Sequence, residues 1–238
     1  MGKPMPLVSL DSLDLAALLC SRVCHDVISP VGAIVNGLEL LEDEKDPEMR
    51  EEALGLIKRS AGTASAKLQF CRIAFGAAGS AGASIDTGDA EQVARNLLED
   101  KRTKLNWNAP RLLLPKNKVK ILLNMCLIAA ASIPRGGNID VAIEGSDDNT
   151  ALTLSVTSEK AVRVAHGVSE LLAGHSETDS IDPHGIQAFY TGLVARACQM
   201  DVGIDGGAEG ITIYCRPIAN TDMDSADPIV EKASQSAA

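Results

Sequence analysis

The sequence predicts an α+β protein: an antiparallel helical hairpin that joins a second copy in a dimeric four-helix bundle, followed by an α/β sandwich. Three observations carry this. Apolar residues recur every three or four positions over 20–41 and again over 49–75, with only residues 42–45 connecting the two expected helices. Composition then turns to Gly, Ala, Ser and Thr over 76–88. Beyond that stretch, segments of helical period alternate with short runs of strand period. At 238 residues the chain has room for two small domains. We place the hairpin at 11–78 and the sandwich at 85–217, with 1–10 a flexible N-terminus and 218–238 a disordered tail.

The elements follow in order. Asp11 or Ser12 caps a first helix running to about residue 41, whose seam reads Cys20, Val23, Val27, Val31, Ile34, Leu38 and Leu41. The second helix opens on Asp46 as cap and Pro47 at the first helical position, with acids in the first turn that complement the orphan amides and the helix dipole. Its stripe runs through Met49, Ala53, Leu56, Ser60, Ala64, Leu68, Cys71 and Phe75. So short a connection forces the two helices antiparallel, and stripes this long ask for a further layer, which a second copy supplies. Residues 76–88 read as a linker. A helix is expected over 89–102, a strand over 105–108, a helix over 117–132 and a turn at Pro134-Arg135-Gly136-Gly137. Strands over 138–144 and 150–157 flank a hairpin signal at 145–149, then come helices over 164–173 and from 183 to about 200, and strands over 202–204 and 211–215.

Charge and composition exclude some functions. The formal net charge is −10 with scattered Lys and Arg, so nothing marks a phosphate-backbone footprint and no nucleic-acid partner is expected. The apolar run 121–133 is interrupted by Asn124 and too short for a bilayer, and the N-terminus shows no charged-then-apolar signal pattern, so we expect a cytoplasmic protein that meets no membrane. Six cysteines never form a CxxC pair and read as small core hydrophobes, and Cys20 and Cys24 beside His25 lack the further ligands a metal needs.

His25 is the candidate nucleophile. It falls off the seam of the first helix and faces water with Ser29, Gly32 and Asn36, and Asp26 follows it directly. His166, His175 and His184 have no matched partners and read as structural or solvated.

His25-Asp26-x-x-Ser29-Pro30-x-x-Ala33-Ile34-x-x-Gly37 resembles the phosphoacceptor box of sensor histidine kinases. The resemblance implies an imidazole that attacks phosphorus, an acid that holds the other ring nitrogen or takes its proton, a Ser29 hydroxyl beside the reacting group, and a Pro30 that loosens the helix just beyond. Residues 121–139 resemble the asparagine box of the same kinases, with Asn124 on its first asparagine and a Pro-x-Gly-Gly exit. Ile128, however, stands where those kinases hold magnesium. The stretch 156–161 stands where they carry Asp-x-Gly-x-Gly and has neither the Asp nor the glycines, and the lid is reduced to Gly185-Ile186-Gln187-Ala188. The second domain therefore looks like a degenerate histidine-kinase ATPase-like domain.

In plan, and in Arg22-Val23-Cys24-His25-Asp26-Val27-Ile28-Ser29-Pro30, the chain is similar to the ChpT-type histidine phosphotransferases, as it is in 37–43 and 70–76. That resemblance implies a phosphorelay. A phosphoryl group would pass from the receiver aspartate of a CckA-like hybrid kinase to His25 and on to CtrA-like and CpdR-like response regulators in cell-cycle control. The protein would be a homodimer with no cofactor of its own, Mg²⁺ coming from the partner receiver. Receivers would dock below His25 on Ser29, Gly32, Ala33 and Asn36, steered by Arg163. An ATP-dependent histidine kinase and a non-catalytic dimeric adaptor are the alternative readings; Ile128 weighs against the first, and His25 with Asp26 against the second.

Overall fold

The computed structural model describes residues 7–76, 83–176, 180–183 and 185–218. Helices α1 (Ser12–Asp43) and α2 (Pro47–Ala74) form the antiparallel hairpin. The Asp11 carboxylate accepts from the N–H groups of Leu13 and Asp14, and Asp46 accepts from Glu48 with Pro47 at the helix start, so both starts lie where the cap signals put them.

The hairpin is closer than its apolar pattern suggests, because its tightest positions on α1 are Pro30 and Gly37, the two buried residues of that helix. A Cβ on Gly37 would lie 2.7 Å from Ile57 Cγ1, so the missing side chain is what lets the helices approach. Around these positions Val23, Val27, Ile34 and Leu41 are half-buried against α2, where Ala53, Ser60 and Ala64 are buried. The expected seam is thus out of phase in part. Val31 and Leu38 remain 43% and 49% exposed, and with Cys20, Cys24, Ile28 and Val35 they form a separate outer row. Cys20 and Cys24 are therefore not core residues of this chain, whereas Cys126 and Cys215 are. By length and composition α1 is apolar enough to cross a membrane.

The rest of the described chain runs β1 (Ser84–Asp86), α3 (Thr87–Leu98), β2 (Thr103–Asn108), β3 (Leu113–Pro115), α4 (Lys116–Ser132), β4 (Gly137–Glu144), β5 (Ala151–Thr157), α5 (Val168–Ala173), α6 (Ile186–Ala197), β6 (Met200–Gly207) and β7 (Gly210–Pro217). Strands β2-β4-β5-β7-β6 make one sheet, with β2 and β4 parallel and the other pairs antiparallel. Its alternation is regular: Ile139, Val141 and Ile143 pair with Val156, Leu154 and Leu152, all buried under the helices. In the expected Pro-x-Gly-Gly turn, Gly136 takes φ +95°, where a Cβ would strike the Arg102 carbonyl.

Three expectations need correction. Residues 84–86 and 113–115, the first within the expected linker, pair as a small antiparallel ribbon, with Asp86 capping α3. The helix expected over 164–173 begins only at Val168, after Gly167 in the left-handed region. The N-terminus expected to be flexible over 1–10 is docked in its described part: Leu7 bridges His175, the Val8 N–H donates to the Gly174 carbonyl at 2.9 Å, and Val8 and Leu10 pack with Ile181, Ile186 and Phe189. The tail expected over 218–238 lies, beyond Ile218, outside the described residues.

The base of the hairpin belongs to the same core as the sheet. Phe70, Ile73 and Ala74 are buried in one cluster with α3, α4 and the strands, and Leu15 and Leu19 pack against it from α1. The Phe75 ring meets Tyr190 edge-on at 5.7 Å, and the Asn124 amide donates to the Ala74 carbonyl at 3.1 Å.

Candidate phosphoacceptor site

His25 sits midway along α1 with its side chain 67% exposed, on the face opposite the packing against α2. The Asp26 carboxylate lies beside it, Oδ1 being 3.6 Å from Nδ1, within ion-pair reach of a protonated ring. Asp26 turns partly inward at 26% exposure, and its Oδ2 accepts from Arg22 Nε at 3.1 Å. From the other helix, Lys67 Nζ donates to the Asp26 backbone carbonyl at 2.7 Å. An acid at the Nδ1 side favours the tautomer that carries its proton there and leaves Nε2 as the outward nucleophile.

Ser29 and Asn36 are exposed and Gly32 and Ala33 half-exposed on the same face, and a Cβ on Gly32 would meet nothing within 4 Å. The row continues to Leu40, at a groove of about 870 Å³ shared with Met49, Ala53 and Leu56 and rimmed by Glu48, Glu51 and Glu52 of α2. It is a different side of the hairpin from the apolar row of Cys24, Ile28, Val31, Val35 and Leu38. Arg163 is exposed in the loop after β5, its N–H donating to the Ser132 carbonyl at 2.9 Å, and its described hydrogen bonds do not reach the hairpin. Six of the seven expected site residues thus share α1, and Arg163 stands in the other part of the chain.

Sequence reasoning missed Lys67 and did not assign Arg22 a role. Arg22 could have been found, since it stands one turn before Asp26. Lys67 could not, because its placement depends on the register of α2 against α1.

The positions that resemble a nucleotide site are occupied differently. Ile128 is 6% exposed within the apolar core. Asn124 is fully buried; its side-chain amide donates to the carbonyls of Ala74 and Lys120, while its Oδ1 has no hydrogen-bond partner among the described residues. After β5 the chain turns at Ser158, whose hydroxyl donates to the Gly136 carbonyl at 2.6 Å. No group of three His, Cys, Asp or Glu side chains capable of holding a metal occurs among the described residues.

A family model described as the histidine phosphotransferase C-terminal domain matches residues 87–210. The protein phosphotransferase ChpT of Brucella abortus (strain 2308) is 52% identical over 204 residues, 86% of this chain and 96% of that protein. A solved bacterial phosphotransferase superposes with a TM-score of 0.80 at 48% identity, over 90% of this chain and all of that one. Full-length ShkA in complex with AMPPNP superposes more loosely, with a TM-score of 0.44 at 18% identity over 88% of this chain and 46% of that one. With a family match over half its length and a relative half identical along most of it, the chain belongs to the histidine phosphotransferase family.

Proposed function

We propose that the protein is the histidine phosphotransfer intermediate of a phosphorelay, with His25 as acceptor. The observation that carries this reading is the exposed imidazole of His25 with Asp26 at its Nδ1, on a chain whose nucleotide-like positions are filled by packing residues. His25 Nε2 attacks the phosphorus of a receiver's aspartyl phosphate in line. The bond from phosphorus to the carboxylate oxygen breaks, the aspartate leaves as carboxylate, and the phosphoramidate carries its ring proton on Nδ1 facing Asp26. The reverse step delivers the group to a second receiver. Mg²⁺ comes from the receiver's acidic pocket, and holding the reactants in near-attack geometry supplies most of the catalysis.

Receivers, by this reading, lie on the face of Ser29, Gly32, Ala33 and Asn36, where small side chains leave room for a partner helix, with Arg163 steering their acidic surface. The apolar row on the other side, including Val31, Val35 and Leu38, is the surface on which a second copy completes a four-helix bundle. Covering that row by a second copy also accounts for the apolar length of α1 in a soluble, cytoplasmic protein. The donor is a hybrid kinase, the acceptors are response regulators, and the relay serves cell-cycle control.

Incubation with labelled ATP alone and with a phosphorylated receiver separates the readings. Acid-labile label from the receiver and none from ATP is the outcome this function requires. Label from ATP alone would make the protein a kinase, and label from neither would leave the adaptor reading.

A further inference from the structure

Pro30 stands four residues after Asp26, so the Asp26 carbonyl points at the one position in α1 that has no N–H to give it. A proline ring also crowds the carbonyl one turn back and tilts it out of the helix. Yet this carbonyl is not orphaned: Lys67 reaches across from α2 and donates to it at 2.7 Å. The other end of the same residue is held too, Arg22 Nε meeting Oδ2 at 3.1 Å and leaving Oδ1 toward the His25 ring.

Two cations thus converge on the backbone and side chain of the residue whose carboxylate lies beside the imidazole. Arg22 and Asp26 are 21% and 26% exposed, so their pair is better shielded from water than a pair on an open helix surface. Cys71, one turn beyond Lys67 on α2, reports the same environment. Its thiol is pushed up to about 11, by burial first and then by the Asp26 charge, while Arg22 and Lys67 pull it down. Groups from both helices therefore share one locality.

We propose that Lys67 and Arg22 are positioning residues for His25: Lys67 supplies the hydrogen bond that Pro30 withholds from Asp26, and Arg22 fixes the rotation of the Asp26 carboxylate against Nδ1. The inference rests on His25 being the acceptor. In this arrangement the proline after the acceptor is not a loosening device. It frees a carbonyl so that the second helix can grip the reactive turn, setting the height and rotation of the imidazole.

The test uses the full chain with Lys67→Met, Arg22→Gln, Pro30→Ala and the double variant Lys67→Met/Pro30→Ala. Two readouts are taken: the tautomer ratio of the His25 ring by nitrogen-15 NMR, which needs no phosphate, and the rate of transfer from a phosphorylated receiver. Lys67→Met and Arg22→Gln are each expected to shift the tautomer ratio and to lower kcat about tenfold with KM unchanged, a part of what a positioned acid or base contributes. Pro30→Ala restores an N–H one turn after Asp26, so the double variant is expected to recover both the ratio and the rate that Lys67→Met loses. A tautomer ratio unmoved by Lys67→Met, or a double variant no better than the single, would overturn the proposal. Should the wild-type chain accept no phosphate, the phosphotransfer reading fails, while the tautomer measurement still reports on Lys67.

Discussion

Asn124 hands its side-chain amide to the carbonyl of Ala74, the last residue of α2, and so ties the hairpin to the central helix of the sheet region. A second hydrogen from the same amide goes to the Lys120 carbonyl at 2.8 Å, and Gln187 of α6 donates to the backbone carbonyl of Asn124 at 3.1 Å. Asn124, which the resemblance sets on the first asparagine of the asparagine box, is here a fastening between the two parts of the chain.

Asn124→Asp and Asn124→Ala are therefore expected to differ sharply. Alanine removes two hydrogen bonds and with them the unpartnered Oδ1, a net loss of about 1–3 kcal/mol. Aspartate turns an acceptor or a buried charge toward two carbonyls and should cost about 3–5 kcal/mol, enough to unfold many domains. Urea denaturation distinguishes them; equal losses would mean that the amide does not face those carbonyls.

Two glycines on α1 should respond in opposite directions. Gly32 faces open space, so Gly32→Ala is expected to stabilise by about 0.5–1 kcal/mol through helix propensity. Gly37→Ala places a methyl 2.7 Å from Ile57 Cγ1 and should destabilise by about 1–3 kcal/mol, with Ile57→Ala softening the loss in a double-mutant cycle. Gly32→Trp is expected to block transfer from receivers while His25 still accepts phosphate from phosphoramidate.

These glycines also show what the sequence could and could not tell. Both helix starts were legible because Asp11, Asp46 and Pro47 act locally, and the sheet strands because Ile139, Val141 and Ile143 alternate with Asn138, Asp140, the small Ala142 and Glu144. The phase of the hairpin was not. Apolar periodicity selects Val31 and Leu38, whereas the closest approach is made at Pro30 and Gly37, whose value lies in shape rather than hydrophobicity. The ribbon of 84–86 with 113–115 escaped because three-residue strands are too short to show a period. His25, Asp26 and Ser29 could be read from spacing on one helix, but Lys67 depends on a contact spanning 41 positions.

Val31→Asp and Leu68→Asp test the second copy. At 43% and 50% exposure both side chains reach solvent in the single chain, so a carboxylate there can stay hydrated and the monomer is expected to remain folded. In a four-helix bundle it would be buried without a partner. Light scattering is expected to give a dimer for the wild-type chain and folded monomers for both variants; dimeric variants would move the interface elsewhere.

Alkaline pH should weaken the fold. Burial pushes the thiols of Cys126 and Cys215 up to about 12 and that of Cys71 up to about 11, from 9.0 in the open, and raises the Tyr190 hydroxyl in the same sense. Above about pH 9 the unfolded chain releases these protons while the native chain keeps them, so stability falls as pH rises toward the native values. Lys120, whose ammonium is lowered by burial and then by Lys116, acts in the opposite direction, as does Arg196, lowered by burial from a value well above this window. The urea midpoint is expected to be lower at about pH 10 than at about pH 8; a higher midpoint would contradict the burial of these thiols.

The most direct measurement is to expose wild-type and His25→Gln chains to a phosphorylated receiver domain and map the acid-labile label by peptide. His25 is 67% exposed and off the packing against α2, so the variant should keep the fold, melting curve and oligomeric state of the wild-type chain. The account predicts label on the peptide that carries His25 in the wild-type chain and none in the variant. Wild-type labelling of His25→Gln would contradict it and place the acceptor on another side chain.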